Sequence, residues 1–426
     1  MIDIRVKNRA CRNIFRPLTV LFLGCLLLPL AGIAEKNDSV NSRAFHLWVA
    51  SDSHLDGDLK KRKRPGGDAI IPRESLAEAI RQSEGYNNDA APAFDWHIGL
   101  LLGDFSGTHA ATPSEAEGRE VVRQFGSLRT HKREDIYTLI GNTDASPGQE
   151  WARKWIDPAG ENPGVSGVDK RKMTYPIDGT WERYSFRVGN MLFLMMSDRN
   201  DLAPPIGKQG KQRGNYPAGA VTMETFEWWK KMVESNPDSI IISAHHHMLR
   251  DTTVASDRWE GYGVGSKEEF VEKWQRLYPE VPFGERTPLH PEDWRYHGYF
   301  PDGAPEGASY LYFVGDRADA GLFESYLEEH PGAIDIWLGG HTHSAPGDTF
   351  GDKSHVEKKW GVNFINVAAL TKNLVRKYPP NSRLLSFSPG SNTAKVAFYM
   401  HDDQLSPRGW YAEMAREIEL GKPFEW

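Results

Sequence analysis

Histidines and carboxylates recur along the chain in short, paired spacings. Asp52 and His54 stand two apart, as do His341 and His343; Asp104 follows Gly103, Asn142 follows Gly141 with Asp144 two residues on, and His245, His246 and His247 are consecutive. Side chains two apart at a strand end project to one side, so Asp52 with His54, and His341 with His343, are each placed to share one cation. Asp104 offers two carboxylate oxygens that can bridge two cations, and Asn142 a neutral carbonyl oxygen suited to a hard or borderline metal. One member of the His245 to His247 cluster completes a set of seven ligands from five strand ends, which is what a two-metal centre needs. Singly, each fragment is commonplace, because a Gly-Asp after a strand is usually a turn and an isolated His a satisfied core or surface group. The ordered set carries the signal.

These groups stand at the ends of short apolar runs. Phe45 to Ala50 leads to Asp52, Trp96 to Leu102 to Asp104, Ile136 to Ile140 to Asn142, Ser239 to Ala244 to the triple histidine, and Ile334 to Leu338 to His341; Met191 to Met196 is a sixth run. Helical spacing appears between them at Ser75 to Ser83, at Thr222 to Ser235 (stopped by Asn236-Pro237), and at Phe323 to His330. Strands alternating with helices predict an α/β fold, and continuous apolar strands predict a sheet covered on both faces, with ligands outside its carboxyl ends. Gly361 to Leu370 and Ala394 to Met400 read as further strands, and Trp410 to Leu420 as a closing helix.

The 426 residues are 39% hydrophobic and 26% charged, enough apolar material for a sizeable core, which excludes a mainly disordered or fibrous chain. Residues 1–34 read as an export signal cleaved after Ala34, with five basic side chains and one acid ahead of an apolar run from Leu18. Without them the balance is 46 basic against 57 acidic groups, so nucleic acid is not predicted as a partner. Both cysteines, Cys11 and Cys25, lie in this leader; any metal in the remaining chain must be held by His, Asp, Glu or Asn. No stable membrane span is expected after cleavage, and the location expected is periplasmic or secreted. Between His247 and Gly340 lie 92 residues, and 256–313 carries 13 aromatics in 58 residues. This stretch reads as an inserted cap, either a small core of its own or a substrate-facing wall. Lys60 to Arg64, five basic residues, reads as a solvated loop able to attract an anion.

In order, Asp52-Ser-His54, Gly103-Asp104, Gly141-Asn-Thr-Asp144, the triple histidine and Gly340-His-Thr-His343 resemble the calcineurin-like metallophosphoesterase superfamily. The resemblance implies a four-layer α/β/β/α sandwich over 44–401, with the cap at 250–318 inserted and a helical extension at 402–426. It implies two divalent metal ions (Mn, Fe or Zn): Asp52, His54 and His343 on the first, Asn142, His341 and His246 or His245 on the second, and Asp104 between them; the family's frequent Pro two residues after the ligand, set at Met248, selects His246, a strand ending one residue earlier selects His245, and His247 ranks last. It also implies hydrolysis of a phosphate mono- or diester, on a small molecule or a polymer, by a metal-activated hydroxide. Tyr184 to Leu194 is similar to the family's middle hairpin. Two residues depart from the pattern. Thr143 stands where the family usually has His, so leaving-group assistance is expected from His109, His290 or His297, with Asp144 orienting a neighbour. Gly107 stands where the purple acid phosphatases have Tyr, which argues against an iron-tyrosinate centre. The alternative is a metal- or carbohydrate-binding protein that keeps the cage with little catalysis.

Overall fold

Alternation along each apolar run sends its side chains into two different cores. In β1 (Phe45–Ala50), Phe45, Leu47 and Val49 enter one cluster and Trp48 and Ala50 another, all fully buried. The computed structural model divides the chain into Met1–Val40 and Asn41–Trp426. It describes residues 43–59, 74–85, 94–107, 112–199, 201, 219–254, 256, 312–314, 321–344, 346, 347, 349, 352–367, 369–371, 379–401 and 408–426, all in the second unit. The leader, the Lys60 to Arg64 run, His109, His290, His297 and nearly all of the expected cap lie outside the described residues.

After β1 come α1 (Asp56–Leu59), α2 (Ser75–Ser83), β2 (Ile98–Leu101), α3 (Glu115–Phe125), β3 (Ile136–Thr138), α4 (Glu150–Trp155) and α5 (Pro163–Ser166). Then follow β4 (Asp178–Gly179), β5 (Arg183–Val188), β6 (Met191–Met196), β7 (Ala220–Thr222), α6 (Met223–Glu234), β8 (Ile240–Ala244), β9 (Tyr312–Val314), α7 (Leu322–Glu329) and β10 (Ile336–Gly339). The last elements are β11 (Val356–Lys359), β12 (Val362–Asn366), β13 (Asn381–Phe387), β14 (Thr393–Met400), β15 (Gly409–Trp410) and β16 (Arg416–Glu419).

They form a mixed α/β fold with two seven-stranded sheets. The first runs β15-β14-β13-β1-β2-β3, with β16 also on β14; β1, β2 and β3 are parallel and the rest pair antiparallel. The second runs β11-β12-β10-β8-β6-β5-β4, with β6, β8, β10 and β12 parallel and antiparallel strands at both flanks. The hairpin expected at Tyr184 to Leu194 is β5-β6, registered Tyr184 opposite Met195. All five chemistry-bearing segments follow parallel strands: β1, β2 and β3 in the first sheet, β8 and β10 in the second. Parallel neighbours present their carboxyl ends at one sheet edge.

One core unites side chains of both sheets, among them Leu47, Leu100, Phe193, Ile242 and Leu338. A second joins Trp48 and Leu101 to Ile80 of α2, Val121 of α3 and Trp151 of α4. A third joins Leu194, Ile241 and Trp337 to Trp229 of α6 and Phe323 of α7. Helix α6 begins where Thr222 accepts the Thr225 N–H at 3.2 Å, and it turns Phe226, Trp229 and Val233 inward. Each such side chain contributes roughly 1.5–3 kcal/mol on burial. Helix α3 begins where Ser114 and Glu117 form a reciprocal capping box, with N–H to side-chain oxygen distances of 3.2 and 2.7 Å, and buries Val121 and Phe125.

The closing segment corrects the expectation of a helix. Residues 416–419 form β16, registered Ala394 opposite Ile418, so Ile418 and Leu420 reach the core shared by the sheets. Alternating Arg416-Glu-Ile-Glu419 is a strand pattern with one inward face.

Candidate metal centre

The backbone that presents the ligands is left-handed. Asp52, His54, Asp104, His341 and His343 have φ of 56°, 45°, 56°, 68° and 41°. Strand alternation is therefore not what aligns Asp52 with His54, since β1 stops at Ala50; two left-handed residues in a loop do it, and the same holds for His341 and His343. Such residues cost of order 1–3 kcal/mol each and persist where their surroundings over-determine them. Here the loops after β1 and β2 are laced together, Asp52 N–H to Gly103 O at 3.0 Å, His54 N–H to Asp104 O at 3.0 Å and Leu55 N–H to Phe105 O at 2.7 Å.

The glycine ahead of a ligand permits close approach. A Cβ on Gly141 would sit 2.2 Å from Asp104 Oδ1, and one on Gly340 2.5 Å from Asp52 Oδ2 and 2.2 Å from Ser51 Oγ. Both glycines let a second loop press directly on a buried carboxylate.

Asp52, fully buried, divides its oxygens. Oδ2 accepts the His341 N–H at 2.9 Å, which ties the two sheets together. Oδ1 faces His343 Nε2 at 2.8 Å, His54 Nε2 at 3.5 Å and His246 Nε2 at 3.8 Å. His54 Nε2 and His343 Nε2 are 3.0 Å apart. Asp104 Oδ2 lies 3.3 Å from His246 Nε2 and 3.7 Å from His54 Nε2, midway between ligands of both sheets. Two ring tautomers are set by the loop of Asp104 itself. His54 Nδ1 meets Ser106 O at 2.9 Å and His246 Nδ1 meets Leu102 O at 2.6 Å. A ring whose Nδ1–H donates to a carbonyl keeps its Nε2 lone pair for a cation.

Within the triple histidine, His246 faces both carboxylates, its Nε2 3.3 Å from Asp104 Oδ2 and 3.8 Å from Asp52 Oδ1. The Nδ1 of His245 accepts the His247 N–H at 2.9 Å, and among the described residues His245 joins none of the groupings that could hold a cation. Those groupings are Asp52 with His54 and His343, Asp52 with Asp104 and His246, and His246 with His247 and His341, each with its ligand atoms within 4.8 Å of one another. His247, ranked last from the sequence, is thus gathered in where His245 is not. Consecutive residues after a strand end do not keep strand alternation, and in the sequence only the place of Met248, where the resembled family often has Pro, points to His246.

Asn142 is buried at the start of the turn after β3. Its neighbour Thr143 donates its N–H to Asp104 Oδ1 at 2.8 Å. The Thr143 hydroxyl donates to Ser106 O at 2.5 Å, so it is spent on the same carbonyl that orients His54. Asp144 supports the site from behind. It is fully buried and accepts the N–H groups of Asp104, Ser106 and Gly141 at 2.9, 2.8 and 3.0 Å. This makes it a positioning residue, not a group aimed at substrate. His109, expected to assist a leaving group, lies outside the described residues.

The charges explain why the cage suits cations. Burial opposes the charged form of His54, but its hydrogen bond to Asp52 and the charges of Asp104 and Asp52 lift it to about 9. Burial likewise opposes a charged His246, yet Asp104 and Asp52 raise it to about 10. Burial pushes Asp52 and Asp104 upward, and the facing histidines outweigh it and hold both below the usual carboxylate range. His341 is driven by burial and by the charge of His246 down to about 3, a neutral ring able to ligate. Two imidazole Nε2 atoms 3.0 Å apart, beside two carboxylates, need a positive centre between them. The donor set of oxygen and imidazole nitrogen fits divalent Mn, Fe or Zn.

The ordered ligands resemble those of calcineurin-like metallophosphoesterases. No family model matches the chain, and no curated protein matches it. Among solved structures it is similar to a conserved uncharacterized protein of Streptococcus pneumoniae described as a predicted phosphoesterase, at 10% identity and TM-score 0.28 over 88% of this chain and 98% of that one. It is also similar to Vps29 of Entamoeba histolytica (11% identity, TM-score 0.28, 88% and 99% covered) and Vps29 of Chaetomium thermophilum (8%, 0.28, 90% and 98%). Likeness at this level carries no chemistry; the ligand geometry does.

Proposed function

We propose that the protein is an exported, metal-dependent phosphoric ester hydrolase, with helices outside two facing sheets in four α/β/β/α layers and an aromatic cap inserted between β8 and β10. The observation that supports it is the meeting of Asp52, His54, Asp104, His246 and His343 from four strand ends of two sheets, with Asp104 between the groups. Periplasmic or secreted location rests on the leader-like first 34 residues. Among the described residues no helix is long and apolar enough to cross a membrane.

Asp52, His54 and His343 would hold one divalent cation, Asn142, His246 and His341 the other, with Asp104 shared. Such a pair supplies positive charge to the phosphoryl oxygens of an ester and acidifies a water for in-line attack. The chain's part is positional. Ser106 O and Leu102 O fix two imidazoles, Asp144 fixes the loop of Asp104, and the His341 N–H fixes Asp52. Thr143, its proton committed to Ser106 O, gives no acid to a departing alkoxide. The substrate class is therefore a phosphate mono- or diester whose leaving group is protonated by another side chain or needs little protonation.

The test is hydrolysis of bis(p-nitrophenyl) phosphate and p-nitrophenyl phosphate by protein stripped of metal and reloaded with Mn, Zn or Fe, with Asp104→Ala as control. Turnover that requires metal and disappears in the variant is expected, and the preferred ester distinguishes diesterase from monoesterase. Silence with both esters under all three metals would overturn the reading. Thr143 would then favour a protein that binds metal or carbohydrate and keeps the cage.

A further inference from the structure

We propose that His247 is a third histidine ligand of the second cation position, which it forms with His246 and His341; this rests on the two-cation reading above. His247 is fully buried, and among the described residues neither ring nitrogen has a hydrogen-bond partner. An imidazole in that condition forfeits hydration at both nitrogens without replacement, a cost that a ligand role removes. The ring is not there by accident of a loose loop. The His247 N–H is held by His245 Nδ1 at 2.9 Å and its carbonyl by Trp337 Nε1 at 3.1 Å, so both ends of the residue are pinned by buried groups. Its ring lies 3.9 Å from that of His341 and 4.9 Å from that of His246, centre to centre, and all three offer ligand atoms within 4.8 Å of one another. That spread closes around one ion at ordinary nitrogen distances of about 2.0–2.1 Å with small side-chain rotations.

A carboxylate stands on the far side. His247 Nδ1 faces Asp198 Oδ2 at 3.6 Å, and that oxygen is itself held by the Gly219 N–H at 2.6 Å. Nε2 is then the nitrogen left for the ion, in the carboxylate-histidine-metal order that orients ligating imidazoles. Three imidazoles make the second position richer in nitrogen than the first, which has one carboxylate and two imidazoles besides shared Asp104. Nitrogen-rich sites favour Zn, Fe or Co over Mn, so the two positions are expected to fill with different preferences.

The experiment uses the full chain, stripped and titrated with Co²⁺ alone, read by proton NMR of hyperfine-shifted imidazole resonances and by calorimetry. Five shifted imidazoles are expected, from His54, His246, His247, His341 and His343. His247→Asn should remove one resonance and weaken one of two Co²⁺ sites by about 10–100-fold, a loss of ligand-shell size, while the other site keeps its affinity. Asp198→Asn should keep the resonance and weaken the same site less. Four resonances in the wild-type chain, or an unchanged pair of affinities in folded His247→Asn, would overturn the proposal, and the wild-type count stands even where the variant does not fold. Four resonances with metal-dependent turnover would leave the hydrolase reading intact; five without turnover would sink that reading and keep this one.

Discussion

The two halves of the metal centre are built in different ways. The half contributed by the first sheet is closed: Asp52, His54 and Asp104 are each tied to backbone, and the loop of Asp104 gives Leu102 O and Ser106 O to imidazoles that come from both sheets. The half contributed by the second sheet is more open: among the described residues both ring nitrogens of His247 carry no hydrogen bond, and His246 Nε2 meets only the carboxylates of Asp104 and Asp52, at 3.3 and 3.8 Å. The contrast separates two tasks. A carboxylate loop that carries charge into a buried place must be over-determined by its own hydrogen bonds, whereas imidazoles need only be aimed, because the cation completes them.

The largest break of this contrast is Asp104→Asn. It keeps the shape but removes the charge shared by both halves, and turnover of the p-nitrophenyl esters should fall by about a thousandfold, the several kcal/mol that charge stabilisation by a cation pair is worth. Calorimetry should show both cation sites weakened, where a variant on the open half alone weakens one. Equal weakening of both by His341→Ala would remove the distinction.

Asp144→Ala attacks the closed half from behind. It strands three buried N–H groups, at about 1–3 kcal/mol each, so urea unfolding should show a loss of at least ~3 kcal/mol. Asp144→Asn, which retains one acceptor oxygen, should recover part of it. A loss below ~1 kcal/mol for the alanine variant would mean that the loop of Asp104 is held by other means.

The same contrast sets a pH dependence. His54 and His246 are raised to about 9 and about 10, so in metal-free protein their protons stabilise the fold fully below the ordinary histidine value near 6.5. That stability is lost as pH rises from there through about 9 and 10. Asp52 and Asp104, held low, contribute above the usual carboxylate value and lose it as pH falls through their lowered values. Urea midpoints of stripped protein should therefore decline from pH 7 to 10, while Zn-loaded protein should not, since the cation replaces the protons. Cation affinity should rise over the same interval. Parallel midpoints for the two forms would contradict the assignment of His54 and His246 as ligands.

Much of this was legible in residue order. The runs at Phe45, Met191 and Ser239 became β1, β6 and β8 because a strand covered on both faces must be apolar throughout. Ser75 to Ser83 became α2 without change. What sequence could not show was the loop conformation. Asp52 with His54 was expected to align by strand alternation, and it aligns by two left-handed residues that only the lacing to Gly103 and Asp104 holds in place. The choice among His245, His246 and His247 likewise depends on long-range partners, Leu102 O above all. The closing strand β16 reads as a helix because four residues give little periodicity, and only its pairing with β14 reveals the strand.

The smallest expected effect concerns the residue that departs most from the resembled pattern. If Thr143 acted as an acid, Thr143→Val would depress turnover of esters with poor leaving groups far more than of p-nitrophenyl esters. Its hydroxyl instead donates to Ser106 O, which also meets His54 Nδ1. Removing it should cost about 1 kcal/mol of stability, the worth of one buried hydrogen bond, and alter kcat by less than ~10-fold for phenyl and p-nitrophenyl phosphate alike, a barrier change under ~1.4 kcal/mol. A loss confined to the phenyl ester would place proton donation at Thr143 after all. An equal, slight loss for both would put Thr143 with Asp144 in the support of the Asp104 loop, and would require that any proton for the leaving group come from outside the closed half.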